Sequence, residues 1–107
     1  MSGWLLTVSA LADLQDIYNF GEETWGPGQA RRYAEELYEL FGELALSPGI
    51  GRLRPELRTT MRSIPHLPHI VFYEPWKGRV IVARVLHGAM DYQELFDEYD
   101  PVTDLPA

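Results

Sequence analysis

The stretch Arg79-Val80-Ile81-Val82-Ala83-Arg84-Val85-Leu86-His87-Gly88-Ala89-Met90-Asp91 decides the fold. It is too apolar and too rich in β-branched residues for a surface element, and it reads as a strand buried on both faces. Side chains alternate along a strand, so Val80, Val82, Arg84 and Leu86 are expected to share one face. A guanidinium among aliphatics needs a partner or an opening to solvent. Two accounts of Arg84 follow: it pairs with a carboxylate such as Asp91 while His87 caps the strand, or it lies where the sheet is left uncovered and meets another molecule.

The segments before this strand look built to cover it. Immediately upstream, Thr59 to Ile64 and His69 to Glu74 read as two further strands, separated by Pro65-His66-Leu67-Pro68 and ended by Pro75, with Trp76-Lys77-Gly78 turning the chain into the central strand. At the other end, Trp4 to Val8 reads as a short strand with Trp4, Leu6 and Val8 on one face, and Ser9 offers an N-cap for a first helix. Leu11, Leu14, Ile17, Tyr18, Gly21 and Trp25 form that helix's apolar stripe. Pro27, after Gly26, starts a second helix whose stripe is Ala30, Tyr33, Ala34, Leu37, Leu40, Phe41 and Leu44. Two amphipathic helices joined this tightly bury their stripes only by lying on a sheet. The expected fold is therefore α+β: a small antiparallel sheet of about four strands packed against an N-terminal helix hairpin (β-α-α-β-β-β), with a short acidic C-terminal segment, in one domain spanning 1–107. The hairpin covers one sheet face, and the other face or the sheet's edge is expected to be open as a groove for an amphipathic helix or an added strand.

Composition narrows the function. The 107 residues are 46% hydrophobic, 12% aromatic and 23% charged, which is the balance of a globular chain. With no cysteine, disulfides, thiolate metal sites and cysteine nucleophiles are excluded, in keeping with a reducing cytosol. Trp4 to Val8 has no basic residue before it and meets Asp13 soon after, so no signal peptide is expected, and nothing approaches the ~20 apolar residues of a membrane span. The net charge of −7 is arranged acid, base, acid. Residues 1–51 hold two arginines against eight acids, residues 52–90 hold six arginines and Lys77 against Glu56 and Glu74, and residues 91–107 hold six acids and no base. Such a chain is poorly suited to gripping a phosphate backbone, and a protein partner is expected in place of nucleic acid. The arginines of Gly51-Arg52-Leu53-Arg54-Pro55-Glu56-Leu57-Arg58 are expected to form a basic connector held by nearby carboxylates.

Catalytic signals are sparse. His66, His69 and His87 have neither the spacing nor the neighbouring ligands of a zinc site, and the glycine clusters are explained as helix punctuation, so no metal or cofactor is expected. One constellation survives, Arg62, Arg84, His87 and Tyr92, which on one sheet surface would suit a metal-free ribonuclease.

The run Gly51 to Arg58 quoted above, then Met61-Arg62-Ser63-Ile64, Ile70-Val71-Phe72-Tyr73 and Val82-Ala83-Arg84-Val85-Leu86-His87-Gly88-Ala89-Met90-Asp91, resembles the ParE toxins of the RelE/ParE superfamily. The likeness extends over essentially the whole chain and includes a Leu-Thr-x-Ser-Ala-x-Ala-Asp-Leu-x-x-Ile pattern from Leu6 to Ile17. The resemblance implies the toxin half of a type II toxin–antitoxin pair: a cytoplasmic, non-enzymatic inhibitor of DNA gyrase, neutralised by a ParD-like antitoxin and serving plasmid or chromosome stabilisation. A ribosome-dependent RelE-like endoribonuclease is the alternative it implies, and a non-toxic interaction module is a third reading. On this expectation Arg58, Arg62, Val82, Arg84 and Leu86 are candidates for antitoxin contact, and His87, Met90, Asp91, Tyr92, Leu95 and Phe96 for target contact. Arg62→Ala and Arg84→Ala are accordingly expected to weaken antitoxin binding in a titration, and unchanged affinity in both would remove those two arginines from the contact.

Overall fold

A computed structural model describes residues 3–107. The chain runs β1 (Trp4–Leu6), α1 (Val8–Trp25), α2 (Pro27–Leu46), a 3-10 turn at Pro48–Ile50, β2 (Arg52–Leu53), β3 (Arg62–His66), β4 (His69–Trp76) and β5 (Arg79–His87), and closes with 3-10 turns at Gln93–Phe96 and Pro101–Asp104. The fold is α+β as expected, with two additions to the sheet. It has five strands in the order β1-β5-β4-β3-β2, and it is mixed, because β1 pairs with β5 in parallel, Trp4 opposite Val80 and Leu6 opposite Val82. A strand at the start of the chain reaches β5 only after the helix hairpin has crossed the sheet, and that crossover makes the pair parallel.

Local chemistry places the boundaries. Lys77 and Gly78 both have positive φ, 50° and 75°, the pair of left-handed residues that a two-residue turn needs to match the twist of β4 and β5. Gly26 joins the helices at φ 93°, ψ 165°, a backbone state almost reserved for glycine, and Pro27 starts α2. α1 begins earlier than Ser9: Thr7 is the N-cap, and Val8 is already helical and more than half exposed rather than a strand residue. β3 continues through Pro65 to His66, where the sequence pattern ended it at Ile64. β2 reaches only Arg62 and Ser63, so Pro65 lies on an open edge where its missing N–H breaks no ladder.

Both faces of the central strands are covered. Toward the hairpin, Val71, Tyr73, Val80, Val82 and Val85 pack against Ala10, Leu37, Phe41 and Leu44. On the other side Phe72, Ala83 and Leu86 are covered by Leu57 and Met61 from the arginine-rich loop and by Phe96 from the C-terminal segment. The open face expected for a partner is thus filled by the chain itself, and the acidic tail is a packed strap. Charge holds it there. The Arg54 guanidinium donates to Glu56 (2.8 Å), Ser63 (3.0 Å) and the Tyr92 hydroxyl (2.6 Å), and Arg58 donates to buried Glu74 (2.9 Å) and to the Tyr99 carbonyl (2.8 Å). The basic connector expected from the sequence is therefore the bolt between the sheet and the strap.

The expected alternation of Val80, Val82, Arg84 and Leu86 fails at one point. Tyr73 lies opposite Val82 and Phe72 opposite Arg84, so Ala83 is an extra residue, a β-bulge. It shifts the register by one beyond that point, sending Leu86 to the strap side and Val85 to the helix side.

The tightest junction is at Gly51, whose N–H donates to the Tyr73 hydroxyl (2.8 Å) while that hydroxyl donates to the Pro48 carbonyl (2.7 Å). A Cβ on Gly51 would overlap the buried ring, whereas one on Gly49 meets nothing within 4 Å. Gly51→Ala is expected to cost about 1–3 kcal/mol of stability through overpacking. Gly49→Ala should be nearly silent in the same urea denaturation series.

Candidate functional site

Thr7, fully buried, joins three elements at the bulge. Its N–H donates to the Val82 carbonyl (3.2 Å), its Oγ1 donates to the Ala83 carbonyl (2.8 Å), and Oγ1 accepts from Ala10 N–H (2.9 Å) at the start of α1. One turn further on, the Asp13 carboxylate accepts from Arg84 Nε (2.7 Å), Arg84 Nη2 (2.8 Å) and the Val85 N–H (2.9 Å). Past Val82, where β1 has ended, α1 thus supplies the side-chain groups that satisfy the edge of β5. The partner of Arg84 is Asp13 of α1, not Asp91, and the arginine is largely covered, with 21% of its side chain exposed. The Asp13 carboxylate holds the Arg84 guanidinium above its ordinary range, with burial opposing.

Beyond this tie a groove of about 790 Å³ opens between the second half of α1, the start of α2 and the end of β5. Ile17, Phe20 and Trp25 line it from α1, Tyr33 from α2, and Leu86 and Met90 from the β5 end. Phe20 and Trp25 are 61% and 63% exposed and pack edge to face on each other, 5.7 Å between ring centres. Two carboxylates lie in the lining, Asp13, which Arg84 neutralises, and Asp16, which gives the rim a negative charge. An apolar trough with an acid border is chemically fitted to an amphipathic segment with basic residues at its margins. A smaller cavity of about 310 Å³ lies along the α1–α2 seam, lined by Leu11, Leu14, Tyr18, Ala34 and Tyr38 among others.

The three histidines gather at one end. His66 and His69 face each other across β3 and β4, and His69 faces His87 across β4 and β5, their rings edge to face at 5.8 Å. The Tyr33 hydroxyl donates to the His66 carbonyl (3.0 Å), which leaves its oxygen to accept from Nδ1–H of His69 (2.6 Å). Burial, followed by the charge of Glu36, pushes Tyr33 up to about 12. Burial and then His87 and His66 hold His69 below the usual imidazole range. Its contribution to stability is therefore present above the ordinary histidine value and lost as pH falls through the depressed one. Among the described residues no three side chains group as metal ligands.

The residues singled out in the sequence are scattered over this frame. Arg58 is occupied by Glu74 and Tyr99, and Arg62 donates to the Gly51 (2.6 Å) and Gly49 (3.3 Å) carbonyls. Val82 is interior, and Leu86 is 3% exposed at the groove. His87 and Met90 line the groove, Asp91 is exposed, Tyr92 is held by Arg54, Leu95 is part-exposed and Phe96 is buried. The four-residue ribonuclease set does not converge. Arg84 is clamped under α1, Arg62 is bonded to the loop before β2, Tyr92 packs on Phe72 from the strap side, and His87 Nδ1 accepts from Ala89 N–H. Sequence reasoning missed Phe20, Tyr33, His69 and the role of Asp13. Trp25 and Leu11 carried a signal: the α1 stripe is wider than a two-helix hairpin buries, and both residues remain exposed.

The family model described as "ParE toxin of type II toxin-antitoxin system, parDE" matches residues 5–92. Toxin ParE1 of Caulobacter vibrioides is 38% identical over 91 residues, 85% of this chain and 94% of that protein. Toxin ParE1 of Mycobacterium tuberculosis is 36% identical over 91 residues, 84% of this chain and 93% of that protein, and Toxin ParE of Escherichia coli is 34% identical over 92 residues, 85% and 89%. A chain of the solved structure "Chromosomal ParDE TA system from P. aeruginosa" superposes with a TM-score of 0.67 at 21% identity, covering 81% of this chain and 96% of that one, and shares its fold. Among the described residues no helix is long and apolar enough to cross a membrane.

The Asp13–Arg84 tie makes a stability prediction. Asp13→Asn leaves a largely buried guanidinium without its counter-charge and is expected to cost about 2–4 kcal/mol. Asp13→Asn combined with Arg84→Met, which keeps an acceptor for the Val85 N–H, should recover most of it, and equal losses for the single and double variants in urea denaturation would show that the pair is not what holds α1 to β5.

Proposed function

The chain belongs to the ParE toxin family of type II toxin–antitoxin systems, and from that membership we propose that it acts in the cytoplasm by binding and inhibiting DNA gyrase, without enzymatic turnover of its own, until a ParD-like antitoxin neutralises it. The observation that carries the reading is the family match over residues 5–92, which spans both helices, β2 to β5 and all of β1 but Trp4. The dispersal of Arg62, Arg84, His87 and Tyr92 among separate intramolecular partners supports binding over ribonuclease chemistry.

The groove beside α1 supports an antitoxin partner. Phe20, Trp25 and Met90 are too exposed to serve the core, and Asp16 has no ion-pair partner among the described residues. A segment that is disordered alone and folds into such a groove gains affinity from apolar burial and orientation from its charges. With Arg58, Arg62 and Arg84 engaged internally, the contact is proposed to centre on Phe20, Trp25, Leu86 and Met90, with His87 at its end. Leu95 and Asp91, both exposed and outside the groove's lining, remain available for the target.

Purified protein added to gyrase is expected to block supercoiling of relaxed plasmid, with the block lifted by antitoxin. Undiminished supercoiling together with cleavage of ribosome-bound mRNA would overturn this reading in favour of the endoribonuclease.

A further inference from the structure

The antitoxin reading leaves the histidine corner unused, although it forms one end of the groove. His69 and His87 both line it, from adjacent strands and directly opposite one another. An apolar segment laid into the groove takes both imidazoles further from water. A neutral ring tolerates that; a pair of protonated rings places like charges on directly paired residues and removes their solvation together.

The surrounding charges offset two extra protons only in part, with Asp16 the one carboxylate in the lining that is unpaired among the described residues. From α1, Asp13 is already filled by Arg84 and the Val85 N–H, and Asp16 stands on the rim. From α2, Tyr33 is bonded to His69, and Glu36 is engaged by His66 of β3 (3.1 Å). From β5 the other charge is Arg84, a cation. Protonation also costs local bonds: the His87 Nδ1 that accepts from the Ala89 N–H (3.1 Å) would carry a proton of its own.

We propose that docking in this groove is gated by protons: the groove holds an apolar antitoxin segment while His69 and His87 are neutral, and acidification releases it. The gate rests on the reading of the groove as the antitoxin site, and the partner's covering of the two rings lowers their proton affinity in the complex. The sign follows from that. Affinity is full above the free protein's histidine values and falls as pH drops through them.

The test is a titration with a purified ParD-like antitoxin that binds this chain, at constant ionic strength, near pH 7.5 and near pH 5.5, either side of the ordinary histidine value of about 6.5. Wild-type affinity is expected to fall more than threefold, by up to about tenfold for each histidine that must lose its proton to bind and by less for His69, which burial already holds below the ordinary range. The His69→Gln, His87→Gln double variant should change less than about threefold over the same interval, a difference within one histidine's worth of linkage. Phe20→Ser should weaken binding at both pH values. Equal wild-type affinity at the two pH values, or a full fall retained by the double variant, overturns the gate and leaves the groove reading standing. Binding unaffected by Phe20→Ser overturns the groove reading itself. Histidine ring proton titrations by NMR in the unmodified chain give a second measure independent of folding of the variants: antitoxin should move the midpoints of His69 and His87 downward, and unmoved midpoints overturn the gate.

Discussion

The fold depends on how the edge of β5 is satisfied once β1 has ended. β1 pairs with three residues of β5, and the strand then continues through a bulge with buried polar backbone that needs partners. Two side chains of the α1 region supply them: the Thr7 hydroxyl on the Ala83 carbonyl and the Asp13 carboxylate on the Val85 N–H. Because Asp13 also takes both arms of Arg84, one carboxylate fixes the depth of α1 on the sheet and neutralises the charge that the strand carries inward. α1 is thereby held at its start and middle, while its second half diverges from the sheet and opens the groove where Phe20 and Trp25 stand exposed.

The acid, base, acid order of the chain has a structural counterpart. The basic middle is mostly spent inside the molecule, Arg54 and Arg58 on the strap and Arg84 on α1. Tyr99 continues the clamp by donating to Asp104 (2.6 Å), whose carboxylate also accepts from Ser9 N–H (3.4 Å). Burial works against the charge on Asp104, yet the bonds from Tyr99 and Ser9 outweigh it and hold the carboxyl below its usual range. Of the acids on α1 that line the groove, Asp13 is spent on Arg84 and Asp16 stays free of ion pairs among the described residues at the border.

Much of the fold was legible in the sequence because it follows from periodicity. The α2 stripe, the β4 and β5 runs and the Lys77-Gly78 turn are local patterns, and Ala30, Leu37, Phe41 and Leu44 are buried where the spacing put them. The family resemblance, carried by runs from Leu6 to Asp91, agrees with the family match. Three features were not legible, each for a physical reason. A bulge changes no residue type, so the alternation through Ala83 looked regular. The parallel pairing of β1 and the Asp13–Arg84 pair join residues some seventy positions apart, which no window of sequence reports. The strap's acids masked Phe96 and Tyr99, whose packing depends on arginines in another segment. The groove was the least visible, since it is the place where an otherwise ordinary amphipathic helix stops being covered.

The interlocking of the two chain ends has a consequence for how the molecule comes into being. β1 finds its partner only when β5 has been made, and Ser9 meets Asp104 only when the last residues are present. Contacts of such long sequence separation cannot form until β5 has left the ribosome, so the hairpin must wait until then with its apolar side uncovered. A chain interrupted before β5 leaves β1 without its neighbour and Asp13 without Arg84.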